Sequence, residues 1–166
     1  MCIRDSNSFY FRKTDNKILN PEKVSLCFEK LINELLESSS PKKWFRAYFN
    51  YGLINYIYGN KRLLPCDMAK QAFFVDPWGD VIPCNGMVKK AVMGSIRTQE
   101  WNEIWDSEQA ENVRRCVKKC TRNCWMIGSV SPAMHKYIWI PAWWVLKHKF
   151  RPGKKYVFRE SDFRNG

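Results

Sequence analysis

The sequence has no long apolar run. Its most apolar stretch, Tyr137 to Leu146, contains Pro141 and falls well short of the ~20 residues needed to span a bilayer. No charged-then-apolar leader with a small-residue cleavage site opens the chain, so secretion has no support. Histidine is scarce, two in 166 residues, and neither His135 nor His148 sits at a ligand spacing. Acidic residues are short, 16 against 28 Lys and Arg, for a formal charge of +12. That imbalance points to polyanions, an anionic membrane face or an acidic protein partner without choosing among them. No acid–base pair or nucleophile stands out: Asp67, Asp76 and Asp80 lie near cysteines, turn formation explains Asp76, and no residue is assigned catalysis. There is no internal repeat of solenoid length. The chain is too short for a complete (β/α)₈ barrel, which takes roughly 250 residues. An aromatic content of 15% argues against wholesale disorder.

Cysteine, by contrast, is plentiful. Seven are present, and an odd total fits poorly with a pure disulfide framework. Cys2 and Cys27 stand apart, while Cys66, Cys84, Cys116, Cys120 and Cys124 form a series. In a reducing cytosol, the compartment expected here, clustered thiols bind metal more often than they cross-link.

The pattern along the chain predicts an α+β fold. Residues 1–8 read as a non-native or disordered leader; the opening MCIRDS resembles a translated sequencing-adapter remnant, so Cys2 is given no role. Val24, Cys27, Phe28, Leu31, Ile32, Leu35 and Leu36 follow helical spacing, predicting a helix from Pro21 to Glu37 with Asn20 as N-cap. Cys27 falls on that stripe and is expected to be a buried packing residue. After Ser38-Ser39-Ser40-Pro41 a second helix carries Trp44, Phe45, Tyr48, Phe49, Leu53, Ile54 and Ile57, and Gly59-Asn60 ends it. These two helices should dock on something larger or on the cysteine-bearing region. Ala72 to Val75, then Asp76-Pro77-Trp78-Gly79, then Val81-Ile82 reads as a hairpin about a type I turn. Short helices follow at Trp101 to Trp105 and Gln109 to Lys119, and residues 151–166 form a basic tail expected to be poorly ordered.

Antiparallel return in the hairpin carries Cys84 back towards Cys66. Cys116, Cys120 and Cys124 are four apart, which on a helix puts neighbouring Cβ atoms about 5–6 Å from each other. A pair from each group makes a four-thiolate site, and four thiolates hold either zinc or a [4Fe–4S] cluster. Structural zinc prefers two tight knuckles, whereas seventeen residues separate Cys66 from Cys84, a loop better suited to a bulky cluster. Arg114, Arg115, Lys118, Lys119 and Arg122 either form a cationic surround for an anionic cluster or are the solvated face of a helix.

Cys66-x₁₂-Gly79-x₄-Cys84 matches the Cys-x₉₋₁₅-Gly-x₄-Cys pattern of the SPASM and twitch auxiliary domains of radical SAM enzymes. The words FFVDPWGDVIPCNGM, MGSIRTQEWNEIW and CTRNCWMIGSVSPAM resemble the same family. The resemblance implies an iron–sulfur domain over 63–150, preceded over 9–62 by helices resembling the end of a radical SAM partial barrel and its linker. It further implies one [4Fe–4S] cluster on Cys66, Cys84, Cys120 and Cys124, the CxxxCW element being the closing pair. Cys116 is the rival ligand, and otherwise a helix-packing cysteine.

Radical SAM cores bind their catalytic cluster through Cys-x₃-Cys-x₂-Cys. Cys116-x₃-Cys120-x₃-Cys124 is one residue too long, and the glycine-rich S-adenosylmethionine motif is missing. The expectation is therefore a C-terminal fragment whose S-adenosylmethionine would bind a core upstream. An auxiliary cluster would support electron transfer or substrate positioning there. The substrate, the reaction and the oligomeric state are not legible.

Two other readings compete. One is a structural zinc module using a basic aromatic surface on nucleic acid; from Lys136 onward there are eight Lys and Arg against two acids. Core or interface roles for Tyr137, Trp139, Trp143 and Trp144 disfavour it. The other makes Ile138 to Phe150 an interfacial helix on anionic lipid, so that a cytoplasmic protein becomes peripheral to the membrane.

Overall fold

A computed structural model describes residues 18–84, 86–87, 91–150 and 155–158. In chain order the elements are α1 (Pro21–Glu37), α2 (Pro41–Ile57), β1 (Phe74–Val75), β2 (Asp80–Ile82), β3 (Gly94–Ser95), α3 (Trp101–Trp105), α4 (Glu108–Lys118), α5 (Ile127–Lys136) and α6 (Trp139–Lys149). This is the α+β fold the patterning predicts. The leader, Cys2 and most of the basic tail lie outside the described residues. The chain forms two compact units, a helical one from 17–64 with 122–166 and a mixed one containing 65–121. No helix among the described residues is long and apolar enough to cross a membrane.

In the helical unit, the Asn20 side chain caps α1 by accepting from the Lys23 amide at 2.9 Å, and Pro21 occupies the first turn. α2 ends on Gly59, φ +73, with the Gly59 amide donating to the Tyr56 carbonyl and the Asn60 amide to that of Asn55. This is a Schellman closure, and the left-handed residue it needs is why glycine stands there. α1, α2 and α6 pack on one another. Their core joins Ile32, Leu36, Tyr48, Ile54, Trp125, Val130 and Trp144.

Three expectations are corrected in this unit. Cys27 is exposed, not buried. Ser25, Ile32 and Leu36 define the inner face of α1, and at 100° per residue Cys27 lies about 140° round from Ile32. The first two helices dock on α6 and on the segment around Trp125, next to the last cysteine of the series. A further helix, α5, runs through Pro132, where no helix was expected; Pro132 falls six positions into it. Finally, 155–158 is not a loose tail. The Tyr156 amide donates to Asn33 Oδ1 at 2.7 Å, Asn33 Nδ2 donates to the Tyr156 carbonyl at 3.0 Å, and the Tyr156 ring packs edge-on to Trp144 and Tyr51.

In the mixed unit, β1 pairs antiparallel with β2 (Phe74 with Ile82, Val75 with Val81), and β2 with β3 (Asp80 with Ser95, Val81 with Gly94). The strands lie in the order β1-β2-β3. The hairpin turn is closed by Asp76, whose Oδ1 accepts from the amides of Trp78 and Asp80 at 2.9 Å each, while the Gly79 amide donates to the Asp76 carbonyl. Gly79 has φ +86, which a side chain resists. Below the sheet, α4 is capped by Ser107 and buries Ala110, Val113 and Val117 against Val81, Met93 and Ile104.

Candidate metal centre

The hairpin places two of the sequence-predicted ligands on one core. Cys66 and Cys84 both pack, half-buried, against the cluster of Met68, Val81, Met93, Ile104 and Val113. Cys84 stands two residues beyond β2, so the β1–β2 register, continued two places, sets it across from Ala72. Between Cys66 and Ala72 the chain makes a tight turn. The amides of Lys70 and Gln71 donate to the Asp67 carbonyl, and the Ala69 amide donates to the Ala72 carbonyl at 2.7 Å. Ala69 itself is left-handed, with φ 64, and fully buried.

Arg114 holds that turn. From α4 its Nε donates to the Ala69 carbonyl at 3.0 Å and its Nη2 to the Trp105 carbonyl at 2.7 Å. Its guanidinium lies 4.6 Å from the centre of the Trp105 ring, and Nη1 pairs with Glu111 at 3.3 Å. Of the two readings of the basic residues near the second cysteine group, Arg114 does not fit the solvated face: it is largely buried and clamps the loop that follows Cys66. Arg115 donates to Asn112 Oδ1, and Lys118, Lys119 and Arg122 are exposed.

Cys116 is also exposed. α4 turns Ala110, Val113 and Val117 inward, and Cys116 is outside that set, which corrects the helix-packing reading. Cys120 follows the last turn of α4, half-buried, its amide donating to the Val117 carbonyl at 3.1 Å. It is one residue from the end of the mixed unit.

Cys124 belongs to the helical unit and is half-buried. Its backbone is fixed by Arg62, whose Nη1 donates to the Cys124 carbonyl at 3.0 Å while Nε and Nη2 reach the carbonyls of Leu64 and Ser129 at 2.8 Å. The next residue, Trp125, is 2% exposed and donates from Nε1 to the Phe49 carbonyl at 2.8 Å. Arg62, the clamping contacts of Arg114 and the seat of Trp125 were missed by sequence reasoning. Only Trp125 left a signal, by its place beside Cys124.

No disulfide joins the six described cysteines. Among the described residues no three His, Cys, Asp or Glu side chains are grouped tightly enough to hold a metal ion as they stand. The donor chemistry nonetheless fits an iron–sulfur cluster, since the series supplies thiols, the usual ligands of such clusters. Metal binding commonly completes its own site as ligands are drawn in.

Residues 66–125 match the family model SPASM, described as an iron–sulfur cluster-binding domain. No curated protein and no solved structure matches the chain. The match begins at Cys66, takes in the three strands, α3 and α4, and ends at Trp125, so it spans every cysteine of the series. This segment is a SPASM-type iron–sulfur cluster-binding domain.

Proposed function

We propose that this chain is the auxiliary-cluster module of a radical SAM enzyme, holding one [4Fe–4S] cluster through Cys66, Cys84, Cys120 and Cys124. The observation that supports this ligand set is burial. Those four are half-buried, whereas Cys27 and Cys116 are exposed. A cluster is best shielded where its thiolates leave bulk water, and exposed cysteines on helix faces offer no such shelter.

The bound cluster supplies one-electron chemistry close to a substrate. The chain's own residues set its surroundings. Arg114 fixes the turn after Cys66, Arg62 fixes the Cys124 backbone, and Trp125 anchors the chain beside it. S-adenosylmethionine would be bound by a core upstream, in keeping with the absence of Cys-x₃-Cys-x₂-Cys here. In that partnership the module relays an electron or closes the substrate cavity.

The test is anaerobic reconstitution with iron and sulfide, followed by metal and sulfide analysis and visible absorption. Iron and sulfide in the equal ratio of a [4Fe–4S] unit are expected, with loss in each of Cys66→Ser, Cys84→Ser, Cys120→Ser and Cys124→Ser. Cys27→Ser and Cys116→Ser should retain both. One zinc per chain without iron overturns the proposal. Iron lost with Cys116→Ser and kept with Cys120→Ser overturns the ligand set alone.

A further inference from the structure

α6 has two faces of opposite kind. Pro141, Trp144 and Val145 are buried in the helical unit. On the other side Trp139 is 61% exposed, Trp143 71%, Leu146 52% and, at the C-cap, Phe150 64%. These four follow i, i+4, i+7 and i+11 spacing, which places them within about 60° of one another round the helix axis. They form one straight apolar stripe, and Ile138, half-exposed just before the helix, adds to its N-terminal end. Soluble surfaces carry scattered apolar residues, but two tryptophans, a leucine and a phenylalanine in line form a patch that calls for a partner.

Charge identifies the partner. From Lys136 to Lys155 the sequence carries six Lys and Arg and no Asp or Glu. Lys149 turns inward, donating to the carbonyls of Leu36 and Ser38 at 2.6 and 2.9 Å, and Lys147 is exposed one position beyond Leu146. A nucleic-acid strand would want its stacking rings in a basic groove. Here the rings stand on the outer face of a helix, in line with aliphatic side chains that stack on nothing.

We propose that α6 lies in the interface of an anionic lipid bilayer, with Trp139, Trp143, Leu146 and Phe150 entering the headgroup–acyl boundary and Lys147, exposed beside the stripe, on lipid phosphates. Tryptophan favours that boundary, and an apolar helix face buries about 5–10 Å into it. The helix lies flat rather than crossing: eleven residues span about 16 Å, half of the ~30 Å hydrocarbon core. The opposite face stays in the protein, so docking requires no unfolding. The proposal stands apart from the cluster, since none of these residues is among the proposed ligands.

Flotation of the full chain with vesicles of phosphatidylcholine, with and without phosphatidylglycerol, tests it. Binding is expected only to the anionic vesicles, with release at high salt as the surface charge is screened. The double variant W139S/W143S should bind at least tenfold more weakly while keeping the parent's circular dichroism and melting, because both rings are exposed. K147E should weaken binding in the same direction. Three outcomes overturn the proposal: no binding to anionic vesicles, binding undiminished in W139S/W143S, or a self-association or oligonucleotide affinity that the same variant abolishes in place of vesicle binding.

Discussion

Arg62 donates from Nη1 to the carbonyl oxygen of Cys124, sixty-two residues further along the chain, at 3.0 Å. The same guanidinium holds Leu64 and Ser129, so one planar group ties the exit of α2, the last cysteine and the start of α5. Lysine is a point charge on a flexible stem and cannot serve three carbonyls in a fixed fork. Hydrogen bonds from charged donors contribute about 1.5–3 kcal/mol each, and losing a donor strands its acceptors. Arg62→Lys is expected to lower unfolding free energy by about 2 kcal/mol in denaturant titration. It should also shorten cluster lifetime under an iron chelator. Unchanged stability would show that solvent replaces these contacts at no cost.

Gly52 sits in the middle of α2 directly under the indole of Trp125, and a Cβ there would overlap the ring. Gly52→Ala would normally favour a helix by ~1 kcal/mol. Here it should destabilise, by about 2 kcal/mol, because the ring must move and with it the Nε1 hydrogen bond to Phe49. The check is a double-mutant cycle with Trp125→Phe, in which the smaller ring recovers part of the loss. Additive effects would separate Gly52 from Trp125.

Asp76 closes the hairpin that carries Cys84. Its Oδ1 accepts two amides, so Asp76→Ala should cost about 1–2 kcal/mol by denaturant titration, while Asp76→Asn, which keeps an acceptor at that position, should cost less than about half as much. If the two variants were equally destabilised, the effect would lie in charge and not in the turn.

Much of this was legible because it is local. Asn20-Pro21, Gly59-Asn60 and Asp76-Pro77-Trp78-Gly79 each carry their own stop or turn chemistry, and the bounds of α1 fall where those residues put them. The cysteine spacing was legible for the same reason. β3 was not: Gly94 and Ser95 have little strand propensity, and their strand exists because Val81 and Asp80 offer an open edge. The exposure of Cys27 was misread because seven apolar positions on α1 make a stripe too broad to fit one face, and packing chose the side that includes Ser25. Arg62 and Arg114 act through carbonyls distant in sequence, and no residue pattern announces such partners.

Glu29 links stability to pH. Burial pushes its carboxyl above the ordinary value of 4.5, and a backbone hydrogen bond from Phe158 offsets part of the rise. The folded chain therefore holds this proton more tightly than the unfolded chain does. Its contribution is most favourable below the ordinary carboxylate range and is lost as pH rises through the raised value. Glu29→Gln keeps an acceptor for Phe158 and removes the partly desolvated charge. At about pH 7 the variant should unfold at a higher denaturant concentration than the parent. The difference should shrink on acidification towards about pH 4, where the parent's carboxyl is protonated in the fold. A variant less stable than the parent at neutral pH would mean that the carboxylate's hydrogen bond outweighs its desolvation.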